Sequence, residues 1–404
     1  MTGRRAARPL VGWYVHHHGA GHLTRMLAVR PHLDADVVAF SSLPAPRTLP
    51  QGTTWVTLPR DDDAVTGADG TVRHPADSDS GTDPTVGGLL HWAPLHHDGH
   101  AARLAALAAW IGEARPMAFV VDVSVEVTLL VRLLGVPPVV VVQPGDRSDG
   151  PHALGWSAAA HLVAPWPDGL HESAALARVG DRVHHVGGVS RHDGRPRPVD
   201  AAGSPVVAVP GSVLVLPGGG AGGAADLAAS VASAAAATPG TTWTVLGADG
   251  WVDDPWAALC SAEVVVSAAG QNSVADLAAA GARAVVLPQG RPFDEQEATG
   301  RALAELGLAV VPGAAVAPRV SAAPGAADAP GAVDAPGAAD APGAVDAPGA
   351  ADAGPRGDGW PEPDAWSELL ARARALEPDW ERWQVRGAAR RAASVVAEVA
   401  GATS

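Results

Sequence analysis

Residues 262–303, AEVVVSAAGQNSVADLAAAGARAVVLPQGRPFDEQEATGRAL, alternate strand, glycine turn, helix, strand, proline loop and helix. The β-branched run at 264–266 suits a strand buried on both faces, as in a parallel sheet. Small and polar residues around Gly270 break that run. An alanine-rich helix over 274–280 follows and stops at Gly281. AVVLP (284–288) predicts the next strand and 292–303 the next helix. A chain of this kind must place its strands side by side with helices on the faces. Each strand-to-helix turn then aims backbone N–H groups, and the positive end of a helix dipole, at the carboxyl edge of the sheet. An anion is well held there.

The rest of the chain repeats the pattern. LVGWYV (10–15) predicts a first strand, HHHGAGH (16–22) a turn, and 23–33 a helix. Strands are expected at 36–42, 53–59, 119–122, 137–145 and 161–167, with a helix over 125–135. Residues 60–84 read as a long polar loop and 85–113 as a helical region interrupted by HHDGH (96–100). This is the opening of a doubly wound α/β domain. SRHDGRPRPVDAAG, ending at 203, has no apolar period, so a linker is expected over 191–204. Strand, glycine loop and helix then return over 213–235, with PGGGAGG at 217–223. Five tandem PGA(A/V)DA hexapeptides fill 324–353. Proline at every sixth residue blocks helix and sheet, and the side chains are too small to form a core. A disordered acidic insert is expected over 313–359, followed by a helical tail over 360–404 that packs back on the body.

The formal net charge of −15 over 404 residues argues against a nucleic-acid partner. The single Cys260 excludes an intrachain disulfide. No stretch is long and apolar enough to span a bilayer, and the arginine-containing start lacks a signal-peptide pattern. A cytoplasmic protein without a transmembrane segment is expected; peripheral membrane contact stays compatible with it.

Several residues have a candidate chemical role and a plainer alternative. Gly19 and Gly21 let backbone N–H groups approach a phosphate or sugar, or simply form a βα turn. His22 opens the following helix, and imidazole suits general-base work near neutral pH. Adjacent His16, His17 and His18 alternate in direction in a strand-like segment, so no metal site is expected. PGGGAGG, with Gly219 and Gly220, fits a pyrophosphate cradle. Ser273-x-x-Asp276 and Asp294-x-x-Glu297 each match a helix-start box. Asp122, at a strand end, could cap the next helix.

Residues 250–296 resemble the GT-B glycosyltransferases of family 28, the MurG-like enzymes. The shared order is an aromatic and an aliphatic residue followed by Asp-Asp, a strand, a Gly turn with an acidic residue six further on, a strand ending in Pro, and an acidic-Gln pair. GAGH (19–22) carries a weaker resemblance in the first half. The resemblance implies two Rossmann-like doubly wound domains facing across a cleft. The acceptor domain would be 1–190 and the nucleotide-sugar domain 205–312. It implies an inverting, metal-independent transfer from an NDP-sugar, UDP-hexose or UDP-N-acetylhexosamine, to an acceptor hydroxyl, with no cofactor besides the donor. His22 would be the base, oriented by Asp122, with Glu126 a competing carboxylate. Backbone atoms of Val252 would read uracil. The turn Gly270, Gln271, Asn272 and Ser273 would face the donor, and Asp276 would bind the ribose. Asp294 and Gln296 would bind the sugar. Gly220 stands where the family often has a hydroxyl residue. Ala268 and Ala269 stand where it often has an arginine, which leaves the diphosphate to backbone N–H groups or Arg291. A nucleotide-sugar 2-epimerase of the same fold and a non-catalytic nucleotide-sugar-binding protein are the alternatives.

Overall fold

The computed structural model describes residues 8–66, 70–75, 83–171, 173–217, 224–247, 252, 254–314 and 359–402. The hexapeptide repeat lies outside them.

Seven parallel strands form the first sheet. They are β1 (Leu10–Tyr14), β2 (Asp36–Ser41), β3 (Thr53–Thr57), β6 (Ala118–Asp122), β7 (Pro138–Val141), β8 (His161–Ala164) and β9 (Val183–His185), in the order β3-β2-β1-β6-β7-β8-β9. A short antiparallel hairpin, β4 (Val65–Thr66) with β5 (Val72–Arg73), rises from the polar loop. Helices α1 (Gly21–Val29), α2 (Asp98–Ala114), α3 (Val125–Leu133), α4 (Gly150–Ala158) and α5 (Ala174–Val179) connect the strands. The chain winds outward from β1 to β3, then returns to the other side of β1 with β6. The carboxyl ends of β1 and β6 therefore flank a topological switch point, where open α/β sheets bind ligands.

The second sheet has four parallel strands, β10 (Val209–Leu216), β11 (Thr242–Val245), β12 (Ala262–Ala268) and β13 (Ala284–Leu287), ordered β11-β10-β12-β13. Its helices are α6 (Ala224–Ala237), α7 (Trp256–Ser261), α8 (Gln271–Ala280) and α9 (Glu295–Glu305). β12, buried from Val264 to Ser267, is covered on both faces, as its β-branched run predicts. Gly281 ends α8 in the left-handed conformation, donating to Ala278 and Leu277 carbonyls.

The tail divides between the sheets. In α10 (Trp366–Arg374), Trp366, Leu369 and Leu370 join Val213, Val264 and Val285 of the second sheet. In α11 (Ala388–Ala402), Ala388, Ala392 and Val396 join Val11, Trp13 and Val120 of the first. Trp380 and Trp383, both buried, anchor the crossing between them. Residues 191–204 run between the sheets but are pinned. Arg195 forms a bidentate pair with Asp254 at 2.7 Å, and Arg197 donates to the carbonyls of Cys260 and Ala280.

The expected helical region at 85–113 is shorter than its composition suggests. Only Asp98–Ala114 is helical. Upstream, the Asp83 carboxylate accepts from Thr85 N at 2.8 Å and from Gly87 N, and Val86 and His96 are left-handed, so the backbone turns instead of coiling. The hairpin, β9, α4 and α5 were not anticipated; all are short, with little room for a periodic signal.

Gly12 lies mid-β1, where a Cβ would enter the ring of Phe119 on neighbouring β6. Phe119 itself is fixed between Phe40 and Trp110. Gly12→Ala is expected to destabilise by about 1–3 kcal/mol through overpacking, read as a lower urea midpoint at unchanged slope. An unchanged midpoint would mean that the ring can move aside.

Candidate active site

Past Tyr14 the chain leaves β1, turns at Gly19 (φ +79°) and enters α1, whose N-cap Ala20 offers no side-chain acceptor. His22 stands on the first turn of α1, buried. Its Nδ1 lies 3.0 Å from Asp122 Oδ1, at ion-pair distance though off a hydrogen-bond line. Asp122 ends β6, next to β1, which explains how the two meet. Such alignment commonly tightens only when substrate is bound. Asp122 is 1% exposed. Burial alone would raise its pKa, but the charges of Arg25 and His22 prevail and hold it below the usual carboxylate value. A proton on His22 Nδ1, facing that carboxylate, leaves the ring lone pair on Nε2.

Two competing roles are removed by geometry. Ser124, not Asp122, caps α3, accepting from Val127 N. Glu126 accepts from the backbone N–H groups of His91 and Trp92 at 2.8 and 3.0 Å, holding the loop before α2.

Arg25, one helical turn after His22, was missed by sequence reasoning. It donates to Asp122 Oδ1 at 3.1 Å and to Gln271 Oε1 at 2.8 Å. Its signal was available: His22 and Arg25 stand three apart on a helix, hence on one face. Asn272 Nδ2 donates to Gly21 O at 2.6 Å. The N-termini of α1 and α8 thus face each other, and Gln271 and Asn272 bind the first domain rather than open space.

α8 begins at Gln271, and its N-cap Gly270 provides no side-chain cap. Ser273 is inside the helix, so the predicted helix-start box does not form. Asp276 instead accepts from Ser190 Oγ at 2.6 Å and lies 3.5 Å from Arg191 Nε. Burial raises its pKa despite both partners. His192, next along the linker, stacks on Trp256 at 4.9 Å, and burial and neighbouring arginines lower its pKa to about 4. The second box is absent too. Asp294 is exposed and left-handed (φ 54°) and does not cap α9. Gln296 is buried, and its Oε1 accepts from Ala269 N and Gln289 N, both at 3.0 Å. It ties together the two turns that follow β12 and β13, leaving its amide nitrogen as the group able to donate. Val252 is half-buried; Gly219, Gly220 and Trp251 lie outside the described residues.

Glu295 stands beside the candidate donor-binding residues Asp294 and Gln296. It lies 3.7 Å from Arg147. Burial raises its pKa, opposed by the charges of Arg147, Arg25, His22 and Arg291, so it shares the field of the dyad. Phe293 docks beside it: its carbonyl accepts from Asp146 N at 2.7 Å, and the Arg147 guanidinium lies over its ring at 4.7 Å.

The expected divergence of the adjacent histidines does not hold. Beyond the end of β1 there is no strand alternation, and His17 and His18 both approach Asp62.

No family model and no curated protein matches this sequence. Solved structures match along its length. The glycosyltransferase of kitacinnamycin is 15% identical, covers 98% of this chain and 98% of its own, and superposes with a TM-score of 0.55. UGT89C1 of Arabidopsis thaliana, solved with UDP, is 14% identical over 97% of this chain and 100% of its own, at 0.53. The calicheamicin glycosyltransferase CalG4 is 14% identical over 99% and 98%, at 0.52. The fold is therefore GT-B, two Rossmann-like domains, as the sequence resemblance implies. Among the described residues no helix is long and apolar enough to cross a membrane.

Proposed function

We propose that this protein is an inverting glycosyltransferase of the family 28 type. It transfers a sugar from a uridine-diphosphate donor to an acceptor hydroxyl. The observation that carries this is the His22–Asp122 pair at the switch point of the first sheet, opposite the uncapped N-terminus of α8. The similarity in fold to glycosyltransferases, one solved with UDP, supports the donor class.

In this scheme His22 Nε2 removes the acceptor hydroxyl proton as the oxygen attacks the anomeric carbon. The bond from that carbon to the diphosphate oxygen breaks on the opposite face. Asp122 stabilises the imidazolium that forms. The departing diphosphate is met by the N–H groups of α8 rather than by a metal ion. Asp276 binds the ribose only if the hydroxyls take over the place of Ser190, and Gln296 offers its amide N–H to the sugar.

A thermal-shift screen of nucleoside diphosphates tests the donor site. UDP is expected to stabilise the protein by about 2.7 kcal/mol at a hundred times its Kd. A melting temperature unmoved by any nucleotide would remove the donor site from consideration. Asp276→Asn should weaken UDP by about tenfold, the loss of one charge-assisted hydrogen bond, and leave binding of uracil itself unchanged. Equal affinity in the variant would return Asp276 to a purely linker-holding role. Turnover that yields an epimerised donor without transfer would favour the epimerase.

A further inference from the structure

We propose that the turn after β1 and the loop after β3 form a binding site for a divalent transition-metal ion of the zinc class, with His17 Nε2, His18 Nε2 and Asp62 Oδ2 as ligands. The inference is independent of the transfer chemistry above. The three atoms lie within 4.8 Å of one another. Asp62 Oδ2 is 3.4 Å from His17 Nε2 and 3.0 Å from His18 Nε2. Ligands about 2.0–2.1 Å from a tetrahedral ion are themselves about 3.4 Å apart, so only small shifts would close the site.

The second observation is His17 itself. It is 5% exposed, yet neither ring nitrogen has a hydrogen-bond partner among the described residues. A buried imidazole left unpartnered is costly, and an ion on Nε2 would satisfy it. The ring is pre-positioned by its stack on His16 at 5.1 Å and its edge contact with His18 at 4.4 Å.

Other charges face the site. Asp61 is 3.5 Å from His17 Nε2 but is engaged by buried Arg103. Asp63 pairs with Arg60 at 3.3 Å. Arg60 is the competitor: its Nη2 lies 2.6 Å from Asp62 Oδ2. Its side chain is 45% exposed and can swing into solvent when an ion arrives. The second His-Asp-His cluster, His91, Asp149 and His152, lacks this opening, because His152 Nδ1 is paired with Asp149 at 2.7 Å and Nε2 with Arg147 at 3.1 Å. An ion at the first site would clip the loop after β3 to the turn bearing His22, whose ring is 5.4 Å from that of His16.

Full-length, chelator-treated protein titrated with Co2+ is expected to develop the visible absorption of a tetrahedral site, saturating at one ion per chain and displaced by Zn2+. Asp62→Asn and His17→Gln should each weaken Co2+ at least about a hundredfold, more than the loss of an outer-shell partner. Arg60→Ala removes no ligand and should tighten binding severalfold. Asp149→Asn should leave it unchanged. Absence of the absorption overturns the site, as does its loss in Asp149→Asn with retention in Asp62→Asn. Should the ligand variants fail to fold, Arg60→Ala decides: tighter Co2+ binding supports the site, and unchanged affinity overturns it.

Discussion

Replacing His22 with Ala is expected to lower the transfer rate by about 10²–10⁴-fold, the usual contribution of a positioned general base. Donor binding should be preserved. His22 makes its ring contact with Asp122 inside the first domain, and the donor groups are ascribed to the second. The fold should survive as well, because Asp122 keeps Arg25 when the imidazole is removed. The loss should fall on kcat, with the apparent donor affinity from thermal shift unchanged. A variant with wild-type kcat would exclude His22 as the base. A variant that lost UDP binding in equal measure would move His22 from proton transfer to donor recognition.

Asp122→Asn is expected to damage both activity and stability. Asp122 faces buried Arg25, which is 5% exposed. Neutralising the carboxylate leaves a buried guanidinium without its counter-charge, at a cost of about 3–5 kcal/mol. Asn can also present its NH2 to His22 Nδ1, which would reverse the tautomer and remove the lone pair from Nε2. The rate should therefore fall by at least about 10²-fold. A second substitution separates the two effects. Arg25→Met added to Asp122→Asn removes the stranded charge and should restore part of the stability while restoring no activity. Stability regained together with activity would mean that Asp122 acts only through the fold.

The same pair predicts an acid limb. The folded pKa of Asp122 is lowered, so its contribution to stability is complete above the carboxylate's unfolded value. It is lost as pH falls through the lower, folded one. Asp276 works in the opposite sense. Its raised folded pKa imposes a penalty that sets in as pH rises through the unfolded value and is complete above the folded one. UDP contacts to Asp276 would relieve that penalty, which makes the nucleotide-induced stabilisation larger at neutral than at acid pH.

Local sequence determined the alternation of strand, turn and helix. Val264–Val266, Gly281 and the turn ahead of His22 act through neighbours a few positions away, and periodicity and turn chemistry report on that range. The GT-B fold followed from these elements and from the order of motifs in 250–296. Tertiary structure alone decided which groups meet. Asp122 rather than Glu126 faces His22 because β6 returns beside β1, a matter of strand order. Arg25 and Gln271 are separated by 246 positions, and Ser190 and Asp276 by 86, so no spacing rule could pair them. Both helix-start boxes matched on spacing and failed in space: α8 starts two residues before Ser273, and Asp294 is left-handed. The histidine run behaved likewise. Strand alternation would have turned His17 and His18 apart, but β1 ends at Tyr14, and the released backbone lets both rings turn toward Asp62.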